Sequence, residues 1–152
     1  MKIESKVFLD TNILVYATLF DFEPNKHNQS NNSIKNLSKN NHQIYISTQI
    51  LREFYAVVTN KKYLNNPLSI QDAKAQIDFF SKSFEILPID LNTITKLKEL
   101  LLHHEIRGQK IHDTTIAASM LEYGINQLFT YNLKDFKVFD EINVLSPEEY
   151  VK

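Results

Sequence analysis

Short apolar runs alternate along this chain with longer stretches in which apolar residues recur every three or four positions. Val7-Phe8-Leu9, Ile44-Tyr45-Ile46, Phe84-Glu85-Ile86-Leu87, Gln127-Leu128-Phe129-Thr130 and Ile142-Asn143-Val144-Leu145 read as five strands. Residues 12–20 read as a helix, and Ser47 is placed to cap another that runs to about Asn60. Ser69 opens a third, with Ala73, Ile77 and Phe80 at helical spacing. Asp90 or Asn92 caps a fourth through Leu97, Leu100 and Leu101, and Ile111 to Tyr123 is a fifth, closed by Gly124 at a C′ position.

The asparagine-rich stretch 25–42 is harder to read. Ile34 and Leu37, three apart, suggest a helix laid across the body, but asparagine is a poor helix former. The competing reading is an extended loop. Lys61–Pro67 is a break and Arg107–Lys110 a turn. Strands separated by helices imply α/β architecture, a parallel sheet of about five strands with helices on both faces. No repeat or domain-sized linker interrupts the pattern, so one domain is expected over residues 1–152.

Composition mainly removes options. A chain of 152 residues, 43% hydrophobic, can bury a core without a disulfide or zinc staple. With no cysteine, thiol nucleophiles and thiolate metal sites are excluded. The two glycines, Gly108 and Gly124, cannot build a dinucleotide fingerprint or a P-loop. A net charge of −1 gives no general pull on nucleic acid, which leaves a local basic rim from Lys61, Lys62, Arg107, Lys110, Lys134 and Lys137. No apolar run reaches the ~20 residues of a membrane helix, and the charged first six residues do not resemble a secretory signal. A cytoplasmic protein without membrane contact is expected.

The carboxylates are the informative residues. Ligands of open parallel sheets bind beyond the C-terminal ends of the strands, and Asp10 ends the first strand, followed by Thr11 and Asn12. Glu53 lies at the edge of the apolar arc formed by Ile50, Leu51, Phe54, Val57 and Val58. Asp113 falls near the middle of the face defined by Ile116, Ala117, Met120 and Leu121, in the first turn of its helix. Asn132 and Asp135 follow the fourth strand. Taken singly, each has a plainer reading as a cap, a solvated edge or a turn residue. Together they can converge, and carboxylates that converge repel unless a cation neutralises them. A set of oxygen donors without cysteine or clustered histidine points to Mg²⁺ or Mn²⁺.

Four segments carry a resemblance: Phe8-Leu9-Asp10-Thr11-Asn12-Ile13-Leu14, Ser47-Thr48-Gln49-Ile50-Leu51-Arg52-Glu53-Phe54, Ile111-His112-Asp113-Thr114-Thr115-Ile116-Ala117-Ala118 and Thr130-Tyr131-Asn132-Leu133-Lys134-Asp135-Phe136. In order and spacing they resemble the four motifs of PIN-domain ribonucleases, most closely the VapC-type toxins of toxin–antitoxin pairs, over roughly residues 5 to 150. The resemblance implies a PIN-like three-layer fold and a magnesium-dependent endoribonuclease. It also implies a homodimer, and an inhibitory antitoxin protein whose C-terminal segment covers the acidic site. Asp10, Glu53 and Asp113 match the first three acidic positions. The fourth acid falls in relatives at the position of Asn132 or of Asp135, and this chain has an amide at the first and an acid at the second. Thr11 and Thr130 match positions where a hydroxyl stands beside the site. Asn12 and Asn132 are read as supporting residues, and Arg107, Lys110 and Lys134 as contacts for the RNA backbone.

Other classes fit less well. A haloacid-dehalogenase-like phosphatase needs an acid at the position of Asn12. A receiver-like domain built on Asp90 and Lys134 would leave Glu53 and Asp113 unexplained. An RNA-processing PIN nuclease outside a toxin pair, and a silent PIN-like binding module, share the motifs. His103 and His104, at the end of a leucine-rich helix, suit its dipole. His112 adjoins Asp113 and offers a supporting contact behind the site, although no role there is the plainer reading.

Overall fold

The computed structural model describes residues 5–150. Strands β1 (Lys6–Leu9), β2 (Gln43–Ser47), β3 (Glu85–Leu87), β4 (Gln127–Phe129) and β5 (Asn143–Leu145) form one parallel sheet in the order β3-β2-β1-β4-β5. Among the described residues seven α-helices connect and follow the strands: α1 (Thr11–Thr18), α2 (Pro24–Lys39), α3 (Thr48–Val58), α4 (Ile70–Ser83), α5 (Leu91–His103), α6 (Ile111–Glu122) and α7 (Leu133–Phe136). A 3₁₀ turn over Gly108–Lys110 leads into α6.

The central strand explains its own sequence. Phe8 pairs with Tyr45 of β2 on one side and Leu128 of β4 on the other. Val7, Phe8 and Leu9 are fully buried, as a strand covered on both faces requires. The chain steps from β1 to β2 to β3 in one direction, then crosses back to β4 and on to β5. Right-handed crossovers therefore put α1 to α4 on one face and α5 and α6 on the other. The packing of α1 on α2 and α3, and of α5 on α6, follows that division. The reversal of direction makes a switch point between the neighbouring strands β1 and β4.

Local signals set the helix ends. The Ser47 hydroxyl accepts the amide of Ile50, and the Ser69 hydroxyl accepts that of Asp72. Of the two candidates before α5, Asp90 is the cap, in a reciprocal box with Thr93. Gly124, at φ +70°, turns the chain out of α6 while Ile125 donates to the Met120 carbonyl.

The asparagine-rich stretch is a helix and not a loop. Pro24 occupies its first turn, and Ser30, Ser33 and Leu37 form a narrow buried stripe, so small residues and one leucine seat it while the asparagines mostly face outward. The apolar residues of α4 divide. Ala73 and Phe80 enter the core and Ile77 packs against it, but Ile70 is 71% exposed and Phe79 60%. Among the described residues no helix is long and apolar enough to cross a membrane.

Candidate active site

Asp10 stands at the end of β1 with its side chain almost wholly buried, and three groups hold it. The Thr11 amide donates to Oδ1 at 2.7 Å, the Thr130 hydroxyl donates to Oδ2 at 2.7 Å, and the Asn12 amide donates to Oδ2 at 3.2 Å. Asp10 thus caps α1 and also faces the neighbouring strand end, so the capping and site readings of this residue coincide. Asn12 joins the two strand ends. Its amide nitrogen also reaches Thr130 Oγ1 at 3.0 Å, and its carbonyl accepts the Tyr131 amide at 3.2 Å. The Asn132 amide donates to the Thr130 hydroxyl oxygen at 3.0 Å.

Glu53 projects from α3 to the same place. Thr11 Oγ1 donates to its Oε2 at 2.6 Å, and Gln49, one turn earlier, donates to its Oε1 at 2.9 Å. Gln49 Nε2 also reaches the His112 carbonyl at 3.0 Å, tying α3 to the start of α6. Both partners of that nitrogen are acceptors, which fixes the orientation of the amide. Gln49 Oε1 is then left as a buried side-chain oxygen without a partner among the described residues.

Asp113 is half-buried and not inward-facing as its helical position suggests. Helical side chains lean back toward the N-terminus, so a first-turn residue projects to the mouth of the site above the strand ends. Lys110 pairs with it at 3.3 Å and also donates to the Asp135 carbonyl oxygen. Lys110 is therefore the countercharge inside the acidic group and not part of a basic rim; Arg107, Lys134, Lys137, Lys61 and Lys62 are exposed.

Asp10, Thr11, Asn12, Glu53, Asp113 and Asn132 line one open cleft of about 460 Å³, with Tyr16, Phe22 and Val57 along its apolar wall. Asp135 lies on α7, exposed and behind Asp113, outside that lining. Thr130 is fully buried beneath the cleft. His112 is exposed, with its ring nitrogen 3.0 Å from Gln109 Oε1. The acidic side chains share this cleft without closing into a tight ligand shell. Among the described residues, the histidine and carboxylate atoms gathered within 4.8 Å of one another belong to His103, His104, Asp140 and Glu141 instead.

The electrostatics match the geometry. Burial pushes the Asp10 carboxyl up to about 6, opposed by the Thr130 and Thr11 hydrogen bonds and reinforced by the charges of Glu53 and Asp113. Asp113 is also raised, first by desolvation, with Lys110 opposing and Asp135 and Glu53 adding to the rise. An all-oxygen set whose charges oppose their own ionisation is the donor chemistry of a hard divalent cation, and these residues fit Mg²⁺ or Mn²⁺.

Sequence reasoning missed Gln49 and the role of Lys110. The four-residue spacing of Gln49 and Glu53 was a signal for the first. Nothing local could have paired Lys110 with α7.

The model of the PIN domain family matches residues 7–142, and the chain belongs to that family. Its structural neighbours are toxin–antitoxin proteins. VapBC2 from Rickettsia felis, bound to a promoter DNA fragment, is 27% identical, with a TM-score of 0.68 over 93% of this chain and 98% of the other. DNA-bound VapBC from Salmonella typhimurium is 20% identical, with a TM-score of 0.66 over 94% and 98%. VapC20 of Mycobacterium tuberculosis, a toxin that cleaves the sarcin–ricin loop, is 18% identical, with a TM-score of 0.63 over 85% and 92%. At these last two identities the likeness is one of fold. Among curated proteins no match was found.

Proposed function

We propose that this protein is a metal-dependent endoribonuclease, the toxin of a toxin–antitoxin pair. The observation that carries the reading is the convergence of Asp10, Glu53 and Asp113, from three separate elements, on one cleft at the β1/β4 switch point. Family membership and the VapBC neighbours support the same class.

Asp10 and Asp113 are the principal ligands for Mg²⁺ or Mn²⁺ in this reading, Glu53 completes the acidic set, and Asp135 or Asn132 fills the fourth position. The cation supplies Lewis acidity toward a phosphodiester and lowers the pKa of bound water. The chain's own groups do the positioning. Thr130, Thr11 and Asn12 hold the Asp10 carboxylate in one orientation, and Gln49 and Thr11 do the same for Glu53. Glu53, fixed by two hydrogen bonds, is placed to orient an attacking water. The exposed ring of Phe22, stacked on Tyr16, offers a face on which an unpaired base can stack, and the exposed Arg107 and Lys134 suit the phosphate backbone.

The partners follow from the same reading: RNA as substrate, a small antitoxin protein as inhibitor, and a second copy of the chain. Exposed Ile70 and Phe79 on α4 suit a protein interface. The test is cleavage of RNA by the purified chain with Mg²⁺, compared with Asp113→Asn. Activity in the first and none in a folded Asp113→Asn variant supports the nuclease. Equal activity, or none in either, rejects it. Sedimentation at high micromolar concentration tests the dimer.

A further inference from the structure

A second set of ligand groups lies outside the cleft. Helix α5 ends on His103, and His104 is the residue that closes it. Their rings meet edge to face with centroids 4.6 Å apart. The His104 side chain is only 8% exposed, and its Nε2 lies 2.8 and 3.0 Å from the two Glu141 oxygens and 4.0 Å from Asp140 Oδ1. One donor atom from each of His103, His104, Asp140 and Glu141 lies within 4.8 Å of all the others.

The dipole of α5 accounts for a histidine at its end, and one ion pair accounts for Glu141. Neither requires that two imidazoles from the end of α5 and two carboxylates from the segment between α7 and β5 bring a donor atom each to the same point. We propose that these four residues form a site for Zn²⁺ or a similar borderline divalent cation, separate from the acidic cleft. Two nitrogen and two oxygen donors suit that class, whereas the all-oxygen cleft suits a hard ion. Zinc bonds of about 2.0–2.2 Å to such donors require the four atoms to draw closer than they stand. Asp140, 80% exposed, is free to rotate inward around the nearly buried His104. The negative end of α5 adds to the attraction for a cation.

The bound ion would clip the end of α5 to the chain entering β5. It would also lie next to the Phe139 ring, whose centroid is 5.5 Å from that of His104 and 5.7 Å from the Lys110 ammonium. The site is thus linked to the cleft by packing while remaining chemically distinct.

The experiment is calorimetric titration of Zn²⁺ into the full chain carrying Asp10→Asn and Asp113→Asn, so that the cleft does not compete. We expect one ion per chain. Loss of even a group behind a metal ligand weakens binding about tenfold or more, so His103→Ala and Asp140→Ala should each weaken Zn²⁺ at least about tenfold. Both residues are exposed, and neither variant should shift the melting temperature of the metal-free protein. Zn²⁺ should raise the melting temperature of the parent and not that of His104→Gln. Absence of Zn²⁺ binding, or affinity unchanged in both His103→Ala and Asp140→Ala, overturns the proposal and leaves a His104–Glu141 ion pair.

Discussion

The hydroxyl of Thr130 donates a 2.7 Å hydrogen bond to the carboxylate of Asp10, across 120 positions of sequence and between two adjacent strand ends. The same oxygen accepts from Asn12 and from the Asn132 amide, so one buried side chain organises both motif ends of the cleft. Thr130→Val should cost about 1–3 kcal/mol, because its partners stay buried with the hydroxyl removed. It should also move the Asp10 carboxyl higher, since this bond is the largest influence lowering it. Urea unfolding and carboxyl-carbon NMR titration check the two effects. An Asp10 titration unchanged in the variant would rule out this role for Thr130.

Asp10 gives the metal-free protein a definite dependence on pH. Its carboxyl titrates near 6 when folded, above the ordinary value of 3.8. Between those values the folded chain binds more protons than the unfolded one, so stability falls as pH rises from about 4 to about 6. The shift corresponds to about 3 kcal/mol at neutral pH. Asp10→Asn should remove this part of the slope and be the more stable protein at pH 7. Unfolding free energies of both proteins, measured across that window without metal, decide it.

Metal removal should lower activity, as protonation of Asp10 should, but lower stability where protonation raises it. EDTA should abolish RNA cleavage, and Mn²⁺ or Mg²⁺ should restore it. Added Mg²⁺ should raise the melting temperature at pH 7 and have less effect at pH 5, where Asp10 is mostly protonated. Full cleavage in chelator would dismiss the metal site.

The fourth ligand position can be resolved by two variants. Asn132 lines the cleft, whereas Asp135 stands outside it and touches Lys110 through its carbonyl oxygen. Asp135→Asn should reduce cleavage less than Asp113→Asn, and excess Mg²⁺ should recover part of the loss. It should also lower the Asp113 carboxyl pKa by removing a neighbouring charge. Asn132→Ala should disturb substrate placement without raising the metal requirement. Mg²⁺ titrations of cleavage rate compare the three. A larger metal requirement in Asn132→Ala than in Asp135→Asn would assign the position to the amide.

The strands and most helices were legible because their signals are local. Val7-Phe8-Leu9 ending on Asp10 can hardly be anything but a buried strand feeding a site. Ser47, Ser69 and Asp90 announce their helices by side chain alone. The helix α2 was only half visible, since its buried stripe uses Ser30 and Ser33, which carry no hydrophobic signal. Four-residue α7 falls below the length at which periodicity can be read. The acids were legible as a set, but the placement of Asp113 at the cleft mouth depends on side-chain lean, which a helical wheel omits. Lys110 reads as a turn lysine until the fold sets α7 beside it. The pairing of His103 and His104 with Asp140 and Glu141 is likewise a product of tertiary structure.

The position of β4 beside β1 has a consequence for synthesis. Asp10 leaves the ribosome well ahead of the hydroxyl that orients it, which follows 120 positions later. Parallel pairing at that separation forms late in folding. A nascent chain carrying Asp10, Glu53 and Asp113 but not yet residues 127–130 has its acids without the strand that aligns them. On the proposed reading as a ribonuclease, hydrolytic activity toward RNA is expected only after β4 has joined the sheet, when the chain is nearly fully made.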